Sequence, residues 1–82
     1  MYIVEFTFLG DDVRISPTWN ESDRNLIEDN EFLMTLDNYS QTIVQKSSNR
    51  FSEVFEWCKC QSTGVYRKGR HIVYYFVDKG IQ

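Results

Sequence analysis

Cys58, Cys60 and His71 are the residues of this sequence that metal binding or redox chemistry would use first. A structural zinc site takes four ligands, usually as two pairs with wider spacing than this one. Helical residues two apart point about 200° away from each other, so Cys58 and Cys60 would not face one another. We expect one core thiol, one thiol near a helix end, and no metal or cofactor. A helix that ended before Cys58 would instead let the pair converge for redox chemistry.

His71 is the only histidine, and a histidine that acts as a general base needs a partner to orient it. The sequence assigns it no partner, and its place at the start of a predicted strand, beside a basic turn, is typical of a solvated side chain. Glycine-rich phosphate loops, nucleophile elbows and metalloprotease helix motifs are absent from the sequence. We therefore expect a protein that is not an enzyme.

Four acidic residues, Asp23, Glu28, Asp29 and Glu31, form a cluster in the first half of the chain. Paired carboxylates can exchange protons or hold a divalent ion, but no Asp-x-Asp-x-Asp-Gly loop accompanies them. The cluster predicts a solvated acidic face. Its alternative role is a partner-binding surface that docks on a basic macromolecule, as a protein occupying a nucleic-acid channel would need.

The densest basic segment surrounds a predicted hairpin turn and carries an aromatic side chain. Arginine and lysine at a hairpin tip can hold phosphates, and aromatic rings can stack on bases. The same cations also serve solubility and discourage edge pairing. The candidate partner-binding residues of this basic hairpin are Tyr66, Arg67, Lys68, Arg70 and His71.

The net charge of −3 hides an asymmetry along the chain. Residues 1–41 contain nine acids and two bases, whereas residues 42–82 contain three acids and seven bases. Such a chain can fold into a polarised surface that steers charged partners. The two halves can equally pack side by side and neutralise each other, and the sequence leaves both outcomes open.

The length of 82 residues predicts one domain spanning 1–82. An aromatic fraction of 16% lets a few large side chains close a small core. Two cysteines are too few for a disulfide-rich secreted scaffold, and the first residues lack the pattern of an export signal. No stretch approaches the ~20 apolar residues that a membrane span needs. We expect a small soluble protein in the cytoplasm that does not associate with membranes.

The first element is a strand over residues 2–9, where Tyr2, Val4, Phe6 and Phe8 share one face. Gly10-Asp11-Asp12 predicts a turn, and Val13–Ser16 a shorter strand that Pro17 ends.

The middle of the chain is harder to interpret. A second, short helix is expected near 20–29, although a longer helix reaching residue 36 is also compatible with the pattern. We favour a break near Asp29-Asn30, followed by strands at 32–36 and 42–45 around a turn.

The principal helix is predicted over residues 50–60. Its apolar positions fall at i, i+3, i+4 and i+7, and they are Phe51, Val54, Phe55 and Cys58. Two strands close the chain, Val65–Arg67 and Arg70–Val77, around a two-residue turn at Lys68-Gly69. The last strand is apolar on both faces, which predicts a central position in the sheet.

These elements predict an α+β fold, a small mostly antiparallel sheet with one principal helix packed on one face. The helix should cover the face to which Phe6, Phe8, Tyr74 and Phe76 contribute.

For function, we favour a non-enzymatic protein-interaction module, a small inhibitor or adaptor that binds a larger macromolecule, with a virus or mobile element as a plausible source. Trp19, Tyr39 and Trp57 are candidate aromatic anchors, because Trp and Tyr dominate interface hot spots. The alternative is a nucleic-acid-binding protein that acts through the hairpin at 66–71. A homodimer is a further option, since a small core gains stability by association and an exposed edge strand invites it.

Overall fold

The computed structural model describes residues 1–78 and consists of five strands and three helical segments. The strands are β1 (Tyr2–Leu9), β2 (Asp12–Thr18), β3 (Thr42–Gln45), β4 (Gly64–Lys68) and β5 (His71–Phe76). The helical segments are a 3₁₀ helix (Glu21–Leu26), α1 (Asn30–Asn38) and α2 (Asn49–Gln61). The predicted α+β class and antiparallel sheet are confirmed.

All five strands form one antiparallel sheet in the order β3-β2-β1-β5-β4. Two-residue turns join β1 to β2 and β4 to β5, and each contains a glycine at positive φ, Gly10 at 67° and Gly69 at 58°. The predicted second turn was wrong by one residue. Lys68 pairs with His71, so the turn is Gly69-Arg70 and Lys68 belongs to the strand.

The core lies on one face of the sheet, where the principal helix α2 packs as predicted. Phe6 meets Phe51, Phe55 and Tyr74 edge to face, with ring centroids 5.1 to 5.9 Å apart. Ser48 begins α2 by accepting a hydrogen bond from the amide of Phe51. The predicted span of 50–60 differs from the observed helix by one residue at each end.

The prediction of a strand at 32–36 was wrong, because these residues lie in α1. Asp29 caps this helix by accepting a hydrogen bond from the Phe32 amide, and Phe32, Leu33 and Leu36 are buried on one side. The break near Asp29-Asn30 was placed correctly. The segment expected as a short helix near 20–29 forms the 3₁₀ helix, which has no buried residue of its own and so cannot supply an apolar stripe.

Pro17 does not end β2, contrary to the prediction, but pairs with Val4 inside the strand. The Ile15 carbonyl accepts from the Gln41 amide, on the side of β2 where β3 lies. Two residues on, the nitrogen of Pro17 points to the same side, beyond the start of β3 at Thr42. No ladder hydrogen bond is lost there, which is the condition under which proline is tolerated in a sheet.

The second face of the sheet is uncovered within residues 1–78, and we call it the open face. Strand register assigns it alternate residues of every strand, and none of them is buried. Strand β5 is an interior strand, as predicted, but its second face points outward. The open face includes Ile3, Glu5, Thr7, Arg14, Ile43, Tyr66, Lys68, His71, Val73 and Tyr75.

Candidate functional site

The predicted basic hairpin is divided by the alternation of its strands. Tyr66, Lys68 and His71 lie on the open face, whereas Arg67 pairs with Ile72 and lies on the helix-covered side. Arg70 occupies the turn, and its carbonyl accepts a hydrogen bond from the Phe8 amide at 2.9 Å. A ligand on the open face would therefore meet Lys68 but not the side chain of Arg67.

An aromatic and aliphatic group, which we call the tyrosine patch, occupies the β4 side of the open face. It consists of Ile3, Tyr66, Val73 and Tyr75. Tyr66 is 57% exposed and pairs directly with Val73. Tyr75 lies across the backbone of Gly64, and a Cβ at Gly64 would overlap its ring. Glycine at this position lets the ring lie flat along the sheet.

His71 has partners on β1 that the sequence did not reveal. Its Nδ1 lies 2.6 Å from Glu5 Oε2 and 3.2 Å from Thr7 Oγ1. Both contacts involve the same ring nitrogen. They therefore do not form the relay in which a carboxylate orients one nitrogen while the other activates a hydroxyl. The three side chains instead make a polar cluster beside the tyrosine patch.

The two cysteines lie on different sides of α2, as the helical spacing predicted. Cys58 is buried in the core and Cys60 is exposed, and both are free thiols. Burial raises the pKa of the Cys58 thiol, which keeps it protonated and unreactive. Within residues 1–78, no group of three or more His, Cys, Asp or Glu side chains could hold a metal ion.

The four acidic candidates do not act as one group. Asp23 Oδ2 lies 2.7 Å from the Met1 amine, and this hydrogen bond lowers the pKa of the Asp23 carboxyl. Asp29 caps α1, while Glu28 and Glu31 are exposed. Two of the four carboxylates thus stabilise local structure, which leaves two fully available to a partner.

The candidate aromatic anchors close the margins of the core. Trp19 stacks on Tyr2, with ring centroids 5.2 Å apart, and Trp57 stacks on Phe32. Tyr39 and Trp57 both line a cleft of about 210 Å³ between α1 and α2. These three side chains are half-buried, so each already contributes part of its surface to the fold.

Charge is partly segregated between the two ends of the sheet. Lys46, Lys68 and Arg70 lie at the end that carries the two hairpin turns, since the Lys46 amide donates to the Asp11 carbonyl. Asp23 lies at the opposite end, beside Met1. The segregation is incomplete, because Asp11 and Asp12 share the basic end.

The sequence interpretation missed Ile3, Val73 and Tyr75, since the apolar second face of β5 was attributed to a central strand. The signal that could have revealed an open face is the Glu5–Thr7 alternation in β1. In the described part of the chain, no helix is long and apolar enough to cross a membrane.

Comparisons with protein-family models, with curated proteins and with solved structures return no match. The fold and the site define a small α+β protein with an antiparallel sheet that is covered by helices on one side and bears a tyrosine patch on the other.

Proposed function

We propose that this protein is a non-enzymatic interaction module that binds a larger protein through the tyrosine patch on its open face. The observation that carries this proposal is the position of Tyr66, which is 57% exposed on a face that no described element covers. Tyrosine contributes a large contact area at low conformational cost, which is why it is enriched in binding hot spots.

The patch is ordered before any partner arrives. Val73 and Tyr75 belong to an interior strand, and the Tyr75 ring rests on the Gly64 backbone. Side chains that are already held in place lose little entropy on binding. This arrangement favours recognition of a matching rigid surface over the wrapping of a flexible one.

The charges around the patch indicate the chemistry of the partner. Lys68 borders it at the hairpin end, while Glu5 is engaged by His71. The complementary surface is an apolar centre with carboxylates on the side that meets Lys68. An inhibitor or adaptor acting in the cytoplasm, from a virus or mobile element, would fit this description.

A comparison of two exposed side chains tests the proposal. Affinity capture with wild-type protein should retain a stoichiometric partner that Tyr66→Ala loses. Met34→Ala removes a side chain that is 66% exposed on α1, and this variant should capture the same partner as the wild type. Equal capture by both variants would place the contact elsewhere.

A second candidate function, binding of single-stranded nucleic acid, is favoured by the position of Tyr66 and Lys68 on one face of β4. Bases would stack on the tyrosines, and the cations would hold phosphates. Titration with a fluorescent oligonucleotide at increasing salt should reveal affinity that falls steeply.

The division of the hairpin supplies a matched control for this second candidate. Lys68→Glu and Arg67→Glu make the same change of net charge on opposite faces of one strand. Binding on the open face requires Lys68→Glu to weaken the complex more than Arg67→Glu. Similar losses in both variants would indicate attraction by net charge alone.

A further inference from the structure

We infer that this protein forms a symmetric dimer in which the β4 strands of two copies pair antiparallel and join the two sheets into one. The inference concerns the edge of the sheet and is tested separately from the function proposed above. The two share Tyr66, because pairing of the edges would make the two tyrosine patches neighbours on one continuous open face. Strand β4 is the last strand in the sheet order, so its outer side has no strand neighbour among residues 1–78.

The backbone of β4 presents hydrogen-bonding groups outward at two positions. The Phe8 amide donates to the Arg70 carbonyl, so the backbone groups of Arg70 point toward β1. Because these groups alternate along a strand, the backbone N–H and C=O of the next residue, His71, point toward β4. Lys68 pairs with His71, so the groups of Lys68, and of every second residue before it, are directed inward. Val65 and Arg67 therefore direct their N–H and C=O groups to the outside.

These outward groups are complementary to themselves under a two-fold rotation. A two-fold axis at Tyr66 places Val65 of each copy opposite Arg67 of the other. Each such pair exchanges two hydrogen bonds, as hydrogen-bonded pairs of antiparallel strands do. An interface of this kind is isologous and closed, so it stops at two copies.

The same register places no two like charges directly opposite each other. Arg67 faces Val65 of the second copy, and Lys68 faces Gly64, over which the Tyr75 ring lies. The ammonium of Lys68 can then approach the face of that ring, which is a favourable cation–π arrangement. Lysine on an edge strand usually discourages pairing. Here the symmetry gives each cation an uncharged neighbour.

The side chains that would be covered are among the most exposed apolar ones. Tyr66 is 57% and Val65 is 47% exposed, and they lie on opposite faces of β4. In the dimer, Tyr66 meets its own copy in a close non-hydrogen-bonded pair on the open face. A second copy of this chain would pair the outward backbone groups of β4, give each cation an uncharged neighbour and contact both of these side chains.

Proline at position 65 tests the backbone pairing directly. Val65→Pro removes an outward N–H but leaves the β4–β5 ladder intact, and it would eliminate two of the four hydrogen bonds between copies. Sedimentation over a concentration series should give a wild-type species of twice the 9.8 kDa chain mass. The dimer dissociation constant should rise at least about tenfold in Val65→Pro. In Val65→Ala, which keeps the N–H, the dissociation constant should rise less.

Crosslinking provides a measurement that does not depend on the proline variant folding. In a Cys60→Ser background, Tyr66→Cys should oxidise to a covalent dimer, because Cα atoms about 4.5 Å apart suit a disulfide. Val65→Cys, whose symmetry mate lies diagonally across the interface, should crosslink much more slowly. A wild type that remains a monomer throughout, or equal crosslinking at 65 and 66, would overturn the inference. It would also be overturned if β4 paired only with a strand of another protein.

Discussion

The two faces of the sheet are built from alternate residues of the same strands, yet they have opposite roles. On the covered face, Phe6 is fully buried among aromatic rings. On the open face, its neighbours Glu5 and Thr7 form a half-exposed polar cluster with His71. The contrast teaches that buried and exposed side chains alternate along a strand, so one strand can build the core and also supply the surface for which we propose a binding role.

The largest expected effect tests this separation. Phe6→Ala should lower the free energy of unfolding by about 3–5 kcal/mol, because it leaves a cavity among the rings of Phe51, Phe55 and Tyr74. Tyr66→Ala, on the open face, should cost less than about 1 kcal/mol. Denaturant titration at low protein concentration measures both. Comparable losses would mean that the open face also stabilises the fold.

Gly64→Ala should have the next largest effect on stability, and it tests how Tyr75 is held on the open face. The new Cβ overlaps the Tyr75 ring, so we expect a loss of about 1–3 kcal/mol. In a Tyr75→Ala background the overlap disappears, and the same substitution should be neutral or slightly stabilising. A double-mutant cycle gives the coupling. A coupling near zero would show that the ring does not depend on Gly64.

Tyr2→Phe probes a polar atom on the covered face. Among residues 1–78 the buried Tyr2 hydroxyl has no hydrogen-bond partner, and burial raises the pKa of Tyr2 to about 12. Removing the hydroxyl should leave stability unchanged or raise it by up to about 1 kcal/mol, because the ring still stacks on Trp19.

The pH dependence of Tyr2 follows from the sign of that pKa change. Between the ordinary tyrosine pKa of 10.0 and the raised pKa of about 12, the unfolded chain releases a proton that the folded chain keeps, so stability falls as pH rises. In thermal melts across this pH range, Tyr2→Phe should lose less stability with rising pH than the wild type. An identical alkaline profile in both proteins would contradict the assignment to Tyr2.

The smallest effect is expected for the polar pair of the open face. Glu5→Gln should change stability by no more than about 0.5 kcal/mol at neutral pH, since the side chains of Glu5 and His71 are 37% and 50% exposed. A double-mutant cycle with His71→Ala measures the coupling energy between Glu5 and His71. A coupling several times larger would indicate that the open face is more rigidly organised than its exposure implies.

Much of the fold could be predicted because its signals are local. The stripe from Phe51 to Cys58 identified α2, and the alternation in residues 2–9 identified the buried face of β1. The strand predicted at 32–36 was wrong because five residues hold too little periodicity to distinguish a short helix from a strand. Pro17 was misjudged because its effect depends on where β3 begins, which no local pattern reveals.

The candidate site was predicted in part. Tyr66, Lys68 and His71 lie together on the open face, but the alternation of β4 puts Arg67 on the other side. Displacing a two-residue turn by one position changes the partner of each strand residue by two positions, so the error altered the cross-strand pairs but not the faces.

The sequence by itself determined the class of fold, the position of α2 and the separation of Cys58 from Cys60, because helical and strand periods are properties of neighbouring residues. Only the tertiary structure decided that Glu5 meets His71 across 66 positions of sequence and that, among residues 1–78, one face of the sheet stays open and β4 is an edge. These features depend on which strands become neighbours, and that choice is made by the packing of the whole chain rather than by any segment of it.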